Sequence, residues 1–292
     1  MGNDGKIDLY THLDSSSGTA ALIVDVTGYF ASDATLTGDQ TYTPLTSQVR
    51  ALDTRSSIAH TSLTTTGTVA AGTNFTLQVT SLNGIPSNAT ALAVNLAAAN
   101  AAGTGFLQAY ATGYAPTADT SLSFTSGNAI ASLSGDVPIG TSGTITISVH
   151  GNATAVLADI SGYYTTSTTG QKFHTLNPTR LVDTRSGIGG SSSAVAALGT
   201  YTLTGSTTQQ VTSAAAPTIA AMLTVTGPTG SGYAIAYPTA GGKPATSSLN
   251  WGTGDTLANL TLTPIDANGQ ISIYNNSDGT ADFIVDSSGY YV

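Results

Sequence analysis

Two copies of one six-residue pattern contain every arginine of this 292-residue chain. The copy at 50–55 reads Arg-Ala-Leu-Asp-Thr-Arg, and the copy at 180–185 reads Arg-Leu-Val-Asp-Thr-Arg. An aspartate between two arginines can accept charge-assisted, bidentate hydrogen bonds from guanidinium groups. The pattern therefore predicts a partly buried ionic pin joining strands and loops at one end of each domain, formed by Arg50, Asp53, Arg55, Arg180, Asp183 and Arg185. The alternative is a site for an acidic ligand, such as a sialic or uronic acid.

Side chains of a regular strand alternate between its two faces. Asp53 and Arg55 are therefore expected on one face and Arg50 on the other, and the same holds for the second copy. Three further aspartates occupy matching positions in a second recurring pattern. We expect these residues to be the partners of the guanidinium groups: Asp25, Asp159 and Asp286.

Other chemistry has weaker signals in this sequence. Calcium binding at the recurring aspartates is an alternative, although their spacing is not the alternating spacing of a calcium loop. The four histidines show no metal-ligand spacing, and there is no cysteine to complete a zinc site. No nucleophile elbow and no pair of carboxylates suited to glycoside hydrolysis is apparent. We therefore predict a non-catalytic chain without a cofactor or a bound metal.

Two aromatic residues are candidates for binding a sugar ring, Trp251 and Tyr237. Trp251 is the sole tryptophan, and Phe124 occupies the matching place in the first half of the chain. An apolar ring in both halves favours core packing over ligand binding.

The chain repeats internally, and the repeat defines its elements. Three segments end alike, with an aspartate, two variable residues, a glycine and two aromatic residues, at 25–30, 159–164 and 286–291. The two aromatic rings of such an ending are expected to pack over the end of a domain. Between these endings, short segments alternate apolar and polar residues and are separated by Gly, Asn and Pro turns. This pattern predicts an all-β protein of two tandem antiparallel, jelly-roll-like β-sandwiches.

There are three closing segments but only two bodies with an arginine motif. We therefore predict an N-terminal β-hairpin over 1–37 that belongs to a preceding repeat, then sandwiches over 38–166 and 167–292. Because a free hairpin is marginal in water, it is expected to dock on the first sandwich or to be donated to a neighbouring chain.

Composition limits the classes of partner. Charged residues make up only 8% of the chain and the formal net charge is −9, so binding to nucleic acid or to an anionic membrane is not expected. No apolar run is long enough to span a membrane.

The residues at 173–185, from Phe-His-Thr-Leu-Asn-Pro-Thr through the second arginine motif, resemble a repeat of secreted and cell-surface proteins from actinobacteria and some other bacteria. The resemblance also covers the Gly-Ile-Pro turn at 84–86, the Ser-x-Leu-Asn-aromatic run at 247–251 and the closing Ile-Val-Asp-x-x-Gly-Tyr-Tyr at 284–291. It implies an extracellular or cell-surface location and no defined reaction. We therefore expect a structural, adhesion or surface-assembly module whose partners are neighbouring repeats or copies of itself. The alternative is a carbohydrate-binding module that recognises a cell-surface glycan.

Overall fold

A computed structural model describes residues 6–11, 19, 21–22, 24–26, 28–30, 39–56, 58–59, 66–114, 119–126, 130–203 and 217–292. It divides the chain into two compact units, 1–31 and 32–292. The described residues between 6 and 30 lie in no regular strand. Much of the predicted N-terminal hairpin over 1–37 lies outside the described residues, so the hairpin and its docking or donation stay a prediction.

Unit 32–292 consists of β-strands, as the alternating sequence predicted. The first nine strands are β1 (Thr41–Asp53), β2 (Ile58–Ala59), β3 (Asn74–Gln78), β4 (Ala91–Ala99), β5 (Gly105–Ala111), β6 (Leu122–Phe124), β7 (Ile130–Pro138), β8 (Thr144–His150) and β9 (Ala155–Thr165). The next eight are β10 (Phe173–Asp183), β11 (Thr200–Leu203), β12 (Thr218–Thr226), β13 (Gly232–Pro238), β14 (Leu249–Trp251), β15 (Thr256–Pro264), β16 (Ile271–Ser277) and β17 (Asp282–Tyr291). One short 3₁₀ turn, Thr239–Gly241, follows β13.

These strands form four antiparallel sheets that pack as two sandwiches. In the first sandwich, the sheet β2-β1-β9-β4-β7 faces the sheet β3-β8-β5-β6. In the second, β10-β17-β12-β15 faces β11-β16-β13-β14. Apart from the short β2, both sandwiches have the same strand order, which is that of an eight-stranded jelly roll. The predicted fold class is confirmed.

Each sandwich has its own apolar core, supplied by alternate residues of its strands. Leu92, Val94 and Leu96 of β4 point into the first core, and Ile219, Ala221 and Leu223 of β12 point into the second. The residues between them point to the outer face of the sheet, which in each sandwich is the face that carries its arginine motif. In the part of the chain that the structure describes, no helix is long and apolar enough to cross a membrane.

Candidate functional site

The first arginine motif forms a chain of four charged groups. Arg50 donates from Nε and Nη2 to the two carboxylate oxygens of Asp159, at 2.8 and 3.0 Å. Its Nη1 donates to Asp53 at 3.1 Å. Arg55 also donates to Asp53, from Nε to Oδ1 at 3.0 Å and from Nη2 to Oδ2 at 2.9 Å. The result is a linear Asp–Arg–Asp–Arg network in which each guanidinium makes one bidentate contact.

A β-bulge brings Arg50 and Asp53 together and corrects the expectation that they point to opposite faces. Arg50 pairs with Asp159 on β9, but the next paired residue is Leu52, opposite Ala158. One extra residue therefore sits in β1, and it reverses the alternation of side chains beyond it. Without the bulge, the Arg50 guanidinium could not reach both aspartates.

Asp53 also ends the strand. Its Oδ1 accepts a hydrogen bond from the backbone N–H of Arg55 at 3.0 Å, which is the local turn that aspartate favours. This turn folds the Arg55 side chain back over the Asp53 carboxylate. The chain then leaves the sheet.

The second motif repeats this geometry on β10 and β17. Arg180 is bidentate to Asp286 at 2.9 and 3.0 Å, and Arg185 is bidentate to Asp183 at 2.8 and 2.7 Å. The bulge recurs between Arg180 and Val182. The structure thus places Asp159 and Asp286 against the arginines as expected, whereas Asp25 lies exposed in unit 1–31.

The two clusters differ in burial. The Asp159 side chain is 4% exposed and Arg50 is 20% exposed, whereas the corresponding Asp286 and Arg180 are 37% and 42% exposed. Burial accordingly raises the pKa of Asp159 despite its pairing with Arg50. In the second cluster, which is more open at Arg180 and Asp286 and is called the open cluster below, the hydrogen bonds from Arg185 lower the pKa of Asp183 to about 2. At Asp53, burial alone would raise the pKa, but the hydrogen bonds and charge of Arg55 and the charge of Arg50 outweigh it and the pKa is lowered.

Each cluster contains two arginines and two aspartates and is neutral as a whole. An acidic ligand would have to displace a bidentate aspartate from Arg50, Arg55, Arg180 or Arg185. The geometry therefore favours the ionic-pin interpretation over an anion site. Among the described residues, no group of three or more histidine, aspartate or glutamate side chains is arranged to hold a metal ion.

The aromatic candidates for ligand binding are placed differently from each other. Trp251 is 1% exposed, donates from Nε1 to the Gly230 carbonyl at 3.0 Å and packs edge-on against Phe283. It presents no face to a sugar. Phe124 is buried in the first core in the same way. Tyr237 is half-buried and lines a cleft of about 30 Å³ between the two sandwiches, a volume near that of one water molecule.

The junction between the sandwiches contains a buried tyrosine cluster. Sequence reasoning predicted that the closing tyrosines pack over the end of a domain, but it did not predict that they join the two domains. Tyr42, Tyr164 and Tyr291 are all buried, with ring centroids 4.8 to 6.4 Å apart. The second tyrosine of each Gly-Tyr-Tyr ending thus contacts the other sandwich. The glycine of each ending has a packing reason, because an added Cβ at Gly162 would collide with the ring of Tyr42, and one at Gly289 with Phe173.

A polar network also joins the sandwiches. Asn259 of β15 donates to Asn95 of β4 at 3.0 Å and accepts from the backbone N–H of Ser134 at 2.7 Å. Asn95 in turn donates to the carbonyl of Ser247 at 2.8 Å. Sequence analysis missed this network. The sequence feature that could have indicated the network is an asparagine on the outer face of an otherwise apolar strand, in Leu-Ala-Val-Asn-Leu at 92–96.

Comparisons with known proteins add little to this geometry. No family model matches the chain, and no curated protein matches it. Among solved structures, the chain is similar at 10% identity to the cryo-EM structure of T=3 Penaeus vannamei nodavirus, over 97% of this chain and 100% of that one. The TM-score is 0.16, too low to support an argument about fold or function.

Proposed function

We propose that this chain is a non-catalytic structural module of an extracellular or cell-surface protein, built of tandem jelly-roll repeats and serving in adhesion or surface assembly. The observation that carries the proposal is the junction between the repeats. A module that bears load or builds a lattice must hold consecutive domains in one orientation, and domains joined only by a linker do not.

The junction supports this role because it is both buried and specific. The tyrosine cluster supplies apolar contact, with Tyr42, Tyr164 and Tyr291 each buried. The Asn95–Asn259 pair supplies hydrogen bonds that only one register satisfies, since a buried amide without a partner is costly. The two arginine clusters add ionic pins inside each repeat and leave no excess charge for a ligand.

The N-terminal segment supports a role in assembly. Residues 25–30 share the ending of β9 and β17, and those strands lie in the middle of their sheets, between β1 and β4 or between β10 and β12. A segment of this pattern needs two flanking strands. Because β9 and β17 already fill this position in both sandwiches, we propose that the segment docks on the edge of a sandwich or is donated to a neighbouring chain. The resemblance to actinobacterial secreted repeats fits the same role.

The test is the solution mass of the chain by light scattering across concentration, with and without residues 1–31. Oligomers that disappear on deletion, with the sandwiches still folded, support assembly through this segment. An unchanged mass and an unchanged free energy of unfolding would show that the segment is neither donated nor docked. Repeating the series with calcium and with a chelator tests the calcium alternative directly.

A glycan array tests the carbohydrate-binding alternative. Because Trp251 is enclosed in the core, Tyr237 is the aromatic candidate left at a surface cleft. Binding that is lost in Tyr237→Ala, with the fold intact, would replace the structural proposal.

A further inference from the structure

Two phenol rings, one from each sandwich, meet through their hydroxyl groups inside the junction. Tyr164 Oη and Tyr291 Oη are in hydrogen-bond contact at 3.0 Å, and the ring planes are inclined at 62° with centroids 6.4 Å apart. Tyr164 is 6% exposed and Tyr291 is 4% exposed. The ortho carbons of a tyrosine are bonded to the ring carbon that carries the hydroxyl. The hydroxyl contact therefore also brings an ortho carbon of each ring towards the other ring.

Two phenols in this arrangement are placed for oxidative coupling. When each ring loses one electron and its phenolic proton, the two phenoxyl radicals combine through their ortho carbons and form a carbon–carbon bond. The two ortho hydrogens then move to the oxygens, which restores both aromatic rings. The product, dityrosine, carries its two hydroxyl groups next to the new bond and facing each other. The hydroxyl groups of Tyr164 and Tyr291 already face each other in this way.

A carboxylate near the cluster can receive the phenolic protons. Burial raises the pKa of Tyr42, Tyr164 and Tyr291, and the negative charge of Asp136 on β7 raises each of them further. Partial loss of water around its own carboxylate raises the pKa of Asp136 above the ordinary value, which makes it a stronger base than a free aspartate. Asp136 also remains open to solvent, so a proton received there can pass to water.

The electrons can leave although the two rings are enclosed. Tyr163 and Tyr290 directly precede the buried pair in the chain and are only partly buried. Each therefore offers an oxidisable ring between the solvent and the cluster, so an oxidant at the surface need not touch Tyr164 or Tyr291. Burial also keeps radicals on the inner pair away from other chains. Coupling across the junction is then favoured over coupling between molecules.

We propose that Tyr164 and Tyr291 are an oxidative modification site, at which a haem peroxidase with hydrogen peroxide joins them as dityrosine and locks the two sandwiches together covalently. The peroxide takes up both electrons and both protons and is reduced to water, so the chain becomes lighter by two hydrogen atoms. This inference deepens the proposed structural function and rests on it, because an extracellular module is exposed to oxidising conditions and a permanent bond keeps its repeats in one orientation.

The test treats the full chain, at low concentration, with a haem peroxidase and hydrogen peroxide. The expected result is dityrosine fluorescence in the monomer band of a denaturing gel and, by peptide mass spectrometry, a bond between Tyr164 and Tyr291. The treated chain should also unfold at a higher urea concentration, because the crosslink constrains the unfolded state. Tyr164→Phe and Tyr291→Phe should each lose the crosslink. Tyr42→Phe, beside the pair, and Tyr114→Phe, at a tyrosine that is 65% exposed, are the controls and should keep it. Circular dichroism establishes that all variants are folded.

Three outcomes overturn the inference. A crosslink that persists in Tyr164→Phe would place the bond between other rings, such as those of Tyr42 and Tyr291. Dityrosine found only between chains, or lost in Tyr114→Phe, would mean that exposed tyrosines react instead. A folded chain that forms no dityrosine would show that the pair is not a modification site. Each of these results would leave the structural function standing, because the solution mass with and without residues 1–31 tests it separately.

Discussion

The hydroxyl groups of Tyr164 and Tyr291 lie 3.0 Å apart, although the two residues hold the same position in successive repeats. Equivalent residues of two bodies can touch only near the axis that relates the bodies. The tyrosine pair therefore marks the pivot between the two sandwiches, and the asparagine network is a second, separate contact that opposes rotation about that pivot.

We expect Tyr164→Phe and Tyr291→Phe each to lower the free energy of unfolding by about 0.5–1.5 kcal/mol, because each removes the hydrogen bond between the two buried hydroxyl groups. The double variant should lose less than the sum of the two single losses, since both single variants remove the same hydrogen bond. Urea unfolding of the four proteins in a double-mutant cycle measures the coupling. Strict additivity would mean that the hydroxyl pair contributes nothing.

The junction should also determine whether the repeats unfold together. Asn259→Ala removes the side chain that bridges Asn95 and Ser134, so we expect the wild type to unfold in one transition and this variant to unfold in two. Calorimetry is the measurement, with Asn152→Ala, at an exposed turn, as the matched control. A single transition in both variants would show that the apolar contacts alone couple the repeats.

The twin arginine clusters should differ in their contribution to stability. Arg50→Ala leaves the buried Asp159 carboxylate unpaired, which typically costs about 3–5 kcal/mol. Arg180→Ala leaves a partly exposed Asp286, for which about 0–1 kcal/mol is typical. Denaturant unfolding of the two variants gives the comparison, and equal losses would contradict the burial difference.

Acid should act on the open cluster through Asp183. Its pKa in the folded protein is about 2, below the ordinary value of 3.8, so the unfolded chain takes up this proton first. Stability from this group is present above pH 4 and is lost as the pH falls from about 4 towards 2. Arg185→Ala should move the Asp183 titration, followed by carboxyl NMR, upward towards the ordinary range. A titration that stays near pH 2 in this variant would assign the shift to another group.

The sole tryptophan provides a direct check on the core. Because Trp251 is enclosed beside Phe283, acrylamide should quench its fluorescence weakly in the native protein and strongly after unfolding. It should not respond to added glycans. Ready quenching in the native state would mean that the second core is open at β14.

Sequence reasoning reached the fold class because the local sequence pattern of each strand identifies it as a strand. Alternation such as Leu-Ala-Val-Asn-Leu at 92–96 buries one face wherever the strand lies, and Gly and Asn turns separate the strands. It also named Asp159 and Asp286 among the partners of the arginines, because these aspartates recur once per repeat as the arginine motifs do. It failed at the bulge before Leu52, since one extra residue in β1 depends on how β9 lies beside it and has no local signature.

By itself, the sequence determined the local elements: two all-β repeats, their alternating cores and the charge-balanced arginine motifs. Only the tertiary structure decided which surfaces meet. Asn95 and Met222 are equivalent by register, yet one is bonded across the junction and the other is exposed. The physical reason is that burial of an outer face depends on a neighbouring body, whose position follows from contacts distant in the chain, such as Asn95 with Asn259, and from no pattern within either strand.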